Sequence, residues 1–97
     1  MVETILVVDD DPHIREVVCY ALGKSGYRAT SASNGQQAIG RFNEGQVDLV
    51  VLDIMMPEMD GTDVCREVRK TSSVPIIFLS AKEEEIDKVV SLELGGD

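Results

Sequence analysis

The stretch that most constrains this chain is a short, almost wholly apolar run, Val47 to Asp53, which ends abruptly on a carboxylate and passes into a loop punctuated by Pro57 and Gly61. A run of this length, rich in Val and Leu, is too short for a buried helix and fits a central parallel strand covered on both faces. Asp53 then stands at the carboxyl end of a strand, the rim where open α/β sheets bind their ligands. A second run, Ile5 to Val8, breaks off into Asp9, Asp10 and Asp11. Two neighbouring strands therefore deliver carboxylates to one edge.

The rest of the chain alternates in the same way. Thr4 to Val8 is a first strand, after which Asp11 caps and Pro12 opens a helix. The face of that helix is Ile14, Val17, Val18, Ala21 and Leu22, and it ends at Gly26. Tyr27 to Ser31 is short and mixed, as an edge strand is. Asn34 and Gly35 make a turn or cap, and Ala38, Ile39 and Phe42 mark the inward side of a second helix that contains Gly40 and stops at Gly45. A third helix starts near Gly61 and buries Val64, Cys65 and Val68. Pro75 opens a fourth strand, apolar through Leu79 and ending on Ser80. Glu83, Glu84 and Glu85 then crowd the first turn of a fourth helix, where the dipole favours negative charge. Its stripe is Ile86, Val89, Val90 and Leu94, and Gly95 and Gly96 end it.

Four such alternations predict a doubly wound parallel α/β sheet with right-handed crossovers and helices on both faces. Strands one, three and four should be central, and the weaker second strand an edge. The sequence stops right after the fourth helix, which leaves the fourth strand an exposed edge despite its interior pattern. That implies either a fragment or a cover from elsewhere.

Composition narrows the function. The 97 residues suit one globular domain. The formal net charge of -9 argues against nucleic acid as a direct partner, because phosphate binding is led by Lys and Arg. It suits a protein that binds cations or basic surfaces, although acidity kept for solubility explains much of it. Apolar runs fall short of the roughly 20 residues of a membrane span, and the start lacks the basic residues and cleavage site of a signal peptide. The cytoplasm is the expected compartment. Cys19 and Cys65 fall inside helical patterns and read as small core residues rather than a disulfide.

Asp9, Asp10 and Asp53 at adjacent strand ends bring several negative charges close together, an arrangement that persists only if a cation or protons neutralise it. Magnesium fits: a hard ion that takes oxygen ligands, held by one or two carboxylates and completed by a phosphate. Asp53 could then act as nucleophile toward a phosphoryl donor, and Ser80 could donate a hydrogen bond to a phosphoryl oxygen.

ILVVDDD at Ile5 to Asp11, VLDIMMPEMDG at Val51 to Gly61 and PIIFLSA at Pro75 to Ala81 resemble, in order, the three signature segments of the receiver domain of two-component response regulators. The resemblance covers the whole chain and implies a flavodoxin-like receiver fold; the strand order 2-1-3-4-5 comes with it and not from the residues. By motif, Asp53 resembles the phosphoacceptor, Asp9 and Asp10 the acidic pair that holds Mg2+, and Ser80 the switch hydroxyl. Met55 would lend the metal only its backbone carbonyl. The implied donor is the phosphohistidine of a sensor histidine kinase, with the receiver contributing to transfer and to its own hydrolysis. Met55 and Lys82 resemble rim positions that tune the lifetime of the phosphorylated form. The run from Lys82 to Gly96 looks most like receivers of winged-helix transcription factors of the OmpR/PhoB type, so DNA would be met only through an effector domain absent from this sequence. The family's fifth strand, with an aromatic switch residue and a lysine, and its fifth helix do not occur after Gly96. The resemblance therefore implies a C-terminally incomplete receiver that binds Mg2+, holds the phosphorylated state poorly, and can form a homodimer through the bare fourth strand.

Plainer readings stand beside these. Asp53 could cap the following turn, and Asp9 and Asp10 could merely start the first helix. His13, with no second histidine or cysteine ligand, reads as an exposed first-turn residue. Glu83 to Glu85 read as a solvated helix start, and Met55, Met56 and Met59 as loop packing. A nucleotide- or flavin-binding domain would want glycine amides or a hydroxyl-rich loop where Asp9 to Pro12 stand. An aspartyl phosphatase commonly wants a second acid two residues after the first, where Met55 stands. A phosphorylation-independent interaction domain is the remaining alternative.

Overall fold

The computed structural model describes residues 2–54, 56, 58–81 and 88–93, with the backbone alone from Ser80 onward. The elements are β1 (Thr4–Val8), α1 (Pro12–Lys24), β2 (Arg28–Ala32), α2 (Gly35–Glu44), β3 (Leu49–Asp53), α3 (Gly61–Arg69), β4 (Ile76–Ala81) and β5 (Lys88–Glu93). They form one sheet in the order β2-β1-β3-β4-β5. The first four strands are parallel, as the alternation requires, and β2 is an edge.

Helix ends follow local chemistry. Asp11 caps α1 by accepting from the amide of His13, and Pro12 takes the first turn, where its missing N–H costs nothing. Asn34 caps α2 through the Gln37 amide at 2.8 Å, and Asp60 caps α3 through the Asp63 amide at 3.1 Å. Gly45 ends α2.

Two apolar clusters flank the sheet. On one face α2 and α3 cover Leu6, Val8, Val50, Leu52 and Ile76 with Ala38, Val64 and Val68, and Met56 closes the cluster from the loop after β3. On the other, Ile5, Val7 and Val51 are packed by Val18, Cys19 and Leu22 of α1. This corrects the expected α1 face. Val18 and Leu22 do turn inward, but Val17 is 51% exposed and Ala21 is exposed as well. The half-buried stripe runs one residue further round the helix and takes in Cys19. The expectation that both cysteines are small packing residues holds for their placement: each is half-buried, reduced and packed against a core cluster.

The C-terminal end departs most from expectation. Residues 88–93, assigned from sequence to a fourth helix, form a strand antiparallel to β4, with Ile76 opposite Glu93 and Ala81 opposite Lys88. β4 would otherwise present an unpaired row of N–H and C=O groups, and an adjacent segment containing paired valines satisfies that row better than a helix can. Mixed sheets of this kind, an antiparallel edge on a parallel core, are common. The edge expected to be bare is therefore occupied, and a second copy could pair with β4 only if β5 left. The expected helix start at Glu83 to Glu85, together with Ile86 and Leu94, lies outside the described residues.

Candidate functional site

Parallel register brings the carboxyl ends of β1, β3 and β4 to one rim: Val8 pairs with Leu52, and Asp53 with Leu79. The residues just beyond these pairs are Asp9 and Ser80. Asp9, Asp10 and Asp53 each offer a carboxylate oxygen, and the three oxygens lie within 4.8 Å of one another. Asp9 is buried, Asp53 half-buried and Asp10 exposed, so the cluster opens to solvent on the Asp10 side. The predicted convergence of acids is present.

Asp9 is the fixed point of the cluster. Its amide donates to the Ala32 carbonyl at 3.2 Å, which ties it to the end of β2. Its Oδ1 accepts from the Asp11 amide at 2.9 Å, and its own carbonyl accepts from Nη1 of Arg15 at 2.8 Å. Its Oδ2 is buried with no hydrogen-bond partner among the described residues. A buried carboxylate oxygen with no donor, on a side chain that meets two further carboxylates, is costly unless a cation shares it. Three hard oxygen donors arranged in this way match the small, oxygen-seeking divalent ions and Mg2+ above all. The residues therefore fit the metal expected from the sequence.

The loop after β3 is held against Asp53 by glycine. The Gly61 amide donates to the Ile54 carbonyl at 2.9 Å. A Cβ on Gly61 would run into the Asp53 carbonyl oxygen and stand 2.8 Å from the Ile54 Cα, so α3 begins directly against the backbone that carries the acid. Further along the loop, Glu58 takes a left-handed φ of 70°, uncommon for a residue with a side chain. Met59 packs on Gly35, where a Cβ would meet the Met59 Sδ at 2.6 Å. Met56 and Met59 thus do the loop packing expected of them.

Of the other residues singled out from sequence, Ser80 sits one step beyond the register partner of Asp53 on β4. Met55 and Lys82 lie outside the described residues. His13 is exposed, and its amide serves the helix cap. Arg15 was not singled out, and the sequence marks Gly61 only as a loop residue and helix start. For Arg15 the available signal was a cation one helical turn after Asp11, on the side of α1 that faces the acidic loop. Arg15 also opposes, in part, the upward push that burial gives the Cys19 thiol.

The profile of the response regulator receiver domain matches residues 5–97. The probable transcriptional regulator ycf27 of Cyanidium caldarium is 46% identical over 96% of this chain and 37% of its own length. The sensory transduction protein RegX3 of Mycobacterium tuberculosis is 44% identical over 97% of this chain and 41% of its own. The chain thus spans about two-fifths of the length of these curated relatives. Among solved structures, the response regulator TrrA of Thermotoga maritima, determined in complex with Mg2+ and BeF, aligns with a TM-score of 0.78 at 43% identity, over 84% of this chain and 72% of that one. The chemotaxis protein CheY4 of Vibrio cholerae aligns with a TM-score of 0.81 at 29% identity, over 87% of this chain and 74% of that one. A parallel sheet whose central strands end on a shared acidic cluster, together with a family match that runs from β1 to the last residue, has one consistent reading: this chain belongs to the response regulator receiver domain family.

Proposed function

We propose that Asp53 is the phosphoacceptor of a two-component signalling protein and that Asp9, Asp10 and Asp53, with the backbone carbonyl of Met55, hold Mg2+. The observation that carries this reading is the crowding of one carboxylate oxygen from each of Asp9, Asp10 and Asp53 within 4.8 Å, on a cluster in which the buried Asp9 leaves its Oδ2 unpartnered among the described residues. When bound, Mg2+ offsets negative charge on the transferring phosphoryl group. An Asp53 carboxylate oxygen attacks the phosphorus of a phosphohistidine on a sensor histidine kinase. A new O–P bond forms as the N–P bond breaks, and the departing imidazole nitrogen keeps the electron pair and takes up a proton. Asp9 and Asp10 orient the site without being consumed. Ser80, at the end of β4, donates its hydroxyl to a phosphoryl oxygen and so couples phosphorylation to β4. The protein works in the cytoplasm, and its output is transcription through a DNA-binding domain of the winged-helix type in the longer protein. The likeness to a probable transcriptional regulator supports that output, and the likeness to a sensory transduction protein supports the signalling role. A homodimer through β4 is open only to a molecule whose β5 has left that edge.

The test is incubation with a small phosphodonor, with and without Mg2+, followed by intact-mass measurement. The wild type should gain the mass of one phosphoryl group only with Mg2+, and Asp53→Asn should gain none. A gain that survives Asp53→Asn, or no gain in the wild type, would overturn the assignment.

A further inference from the structure

We infer that Arg15 is a positioning residue for the divalent cation, acting through the peptide that joins Asp9 to Asp10. This rests on the proposed Mg2+ site. The Arg15 guanidinium donates to the Asp9 carbonyl at 2.8 Å. That carbonyl belongs to the peptide plane whose other end is the Asp10 amide, so holding it fixes ψ of Asp9 and φ of Asp10 together. The Asp9 side is already fixed by its amide bond to Ala32 and its Oδ1 bond from Asp11. Asp10 is exposed, and no hydrogen bond of its carboxylate is recorded among the described residues. The direction in which the Cα–Cβ bond of Asp10 leaves the loop, and with it the reach of its carboxylate, is therefore set by the peptide plane, and the side chain that holds the carbonyl of that plane is Arg15.

The anchor is sound for the purpose. Arg15 is half-buried on α1, its amide bonds the Asp11 carbonyl at 3.1 Å, and the helix carrying it is capped by Asp11 itself. The clamp and the clamped loop are thus one connected unit, and a charge-assisted bond to a backbone carbonyl is among the stronger single hydrogen bonds available.

Charge and position predict opposite signs, which makes the inference testable. As a field effect, Arg15 repels a cation, and removing it should tighten Mg2+ binding. As a positioning residue, its removal lets the peptide rotate and should weaken binding, by roughly tenfold or more, as for outer partners of metal ligands. The experiment is calorimetric titration of the metal-free protein with Mg2+, below the melting range of each variant, on wild type, Arg15→Met and Arg15→Lys. Arg15→Met keeps the length of the apolar stem without charge or donor, and Arg15→Lys restores both. We expect weakened binding for Arg15→Met and recovery of at least half of the loss, on a logarithmic scale, for Arg15→Lys. A purely structural role would lower the melting midpoint of Arg15→Met and leave its Mg2+ affinity unchanged, and that result, or tighter binding, would overturn the inference. If Arg15→Met fails to fold, Arg15→Leu, which also lacks charge and donor, replaces it under the same criterion. Absence of Mg2+ binding in the wild type would instead sink the metal site and this inference with it.

Discussion

Alanine at Gly61 and alanine at Gly40 are the same chemical change, and the structure assigns them opposite signs. Gly40 lies inside α2, exposed, with nothing within 4 Å of the position its Cβ would occupy. Adding a methyl there only removes backbone freedom from the unfolded chain, a gain of about 0.5–1 kcal/mol. Gly61 is buried at the start of α3, and its Cβ would collide with the Asp53 carbonyl and the Ile54 Cα. Neither obstacle is a flexible side-chain end, so the start of α3 or the end of β3 must move. Overpacking of that kind costs about 1–3 kcal/mol, against a helix-propensity return of at most about 1. In a domain of this size each kcal/mol shifts the melting midpoint by about 4–8 °C. Gly40→Ala should therefore melt a few degrees higher than the parent and Gly61→Ala several degrees lower. Melting followed by circular dichroism in EDTA removes any contribution of bound metal. Because the displaced atoms carry Asp53, Gly61→Ala should also bind Mg2+ more weakly, whereas Gly40→Ala should not. A Gly61→Ala protein as stable as the parent would refute the close-approach argument, whatever Gly40→Ala does.

Three further outcomes follow from the same geometry. Asp9→Asn should raise stability in EDTA, by removing one of three crowded charges, and abolish the stabilisation by Mg2+, which for the wild type should reach about 2.7 kcal/mol at a hundredfold excess over Kd; a Mg2+-dependent rise in melting midpoint equal to that of the wild type would refute the assignment of Asp9. Asp60 is held below the ordinary carboxylate range by the hydroxyl of Thr62 and then the amide of Asp63. A lowered folded-state pKa stabilises above the unfolded value and fades as pH falls through the folded one, so urea unfolding should show Asp60→Ala costing more at pH 6 than at pH 3. Glu58→Asn should stabilise the loop after β3, since asparagine tolerates a left-handed φ better than glutamate, by up to about 1 kcal/mol; an unchanged or lower urea midpoint would count against strain at that residue.

What could be read from sequence was whatever a short window contains. β1 and α3 begin where the pattern put them, Asp11 and Asn34 cap the helices they precede, and Asp53 ends its strand. Each of these depends on a few neighbouring residues and on backbone chemistry that is the same in any fold. The α1 face was misjudged because Val17 and Ala21 are as apolar as Val18 and Leu22; only the sheet beneath decides which side turns inward. Residues 88–93 were misjudged for a related reason. Val89 and Val90 fit either period, and the unpaired edge of β4, invisible in a local window, settles the choice. Gly61 was placed correctly as a helix start, but its role as a wall behind Asp53 depends on contact across the loop. Arg15 was passed over because its partner is a backbone carbonyl, so that its spacing from Asp11 was the one sign of it and no side-chain pattern named the partner.

The site and the core beneath it are built on opposite terms, and the chain needs both. Under the rim, Val7, Val8, Val50 and Leu52 are wholly buried and bring only apolar surface, so β1 and β3 are held together by burial that asks nothing of the residues at their ends. That surplus allows the next residue on each strand to be an acid. Asp9 is nearly as buried as the valines before it, yet one of its oxygens has no partner and its neighbours carry the same charge. In the metal-free protein this arrangement opposes folding; a divalent ion held there, as proposed, would turn the same oxygens into ligands and reverse the sign. A looser core would let the acids separate and relax, and the relaxed cluster would bind the ion less well. The affinity of the rim for a cation therefore depends on apolar packing that never touches the ion.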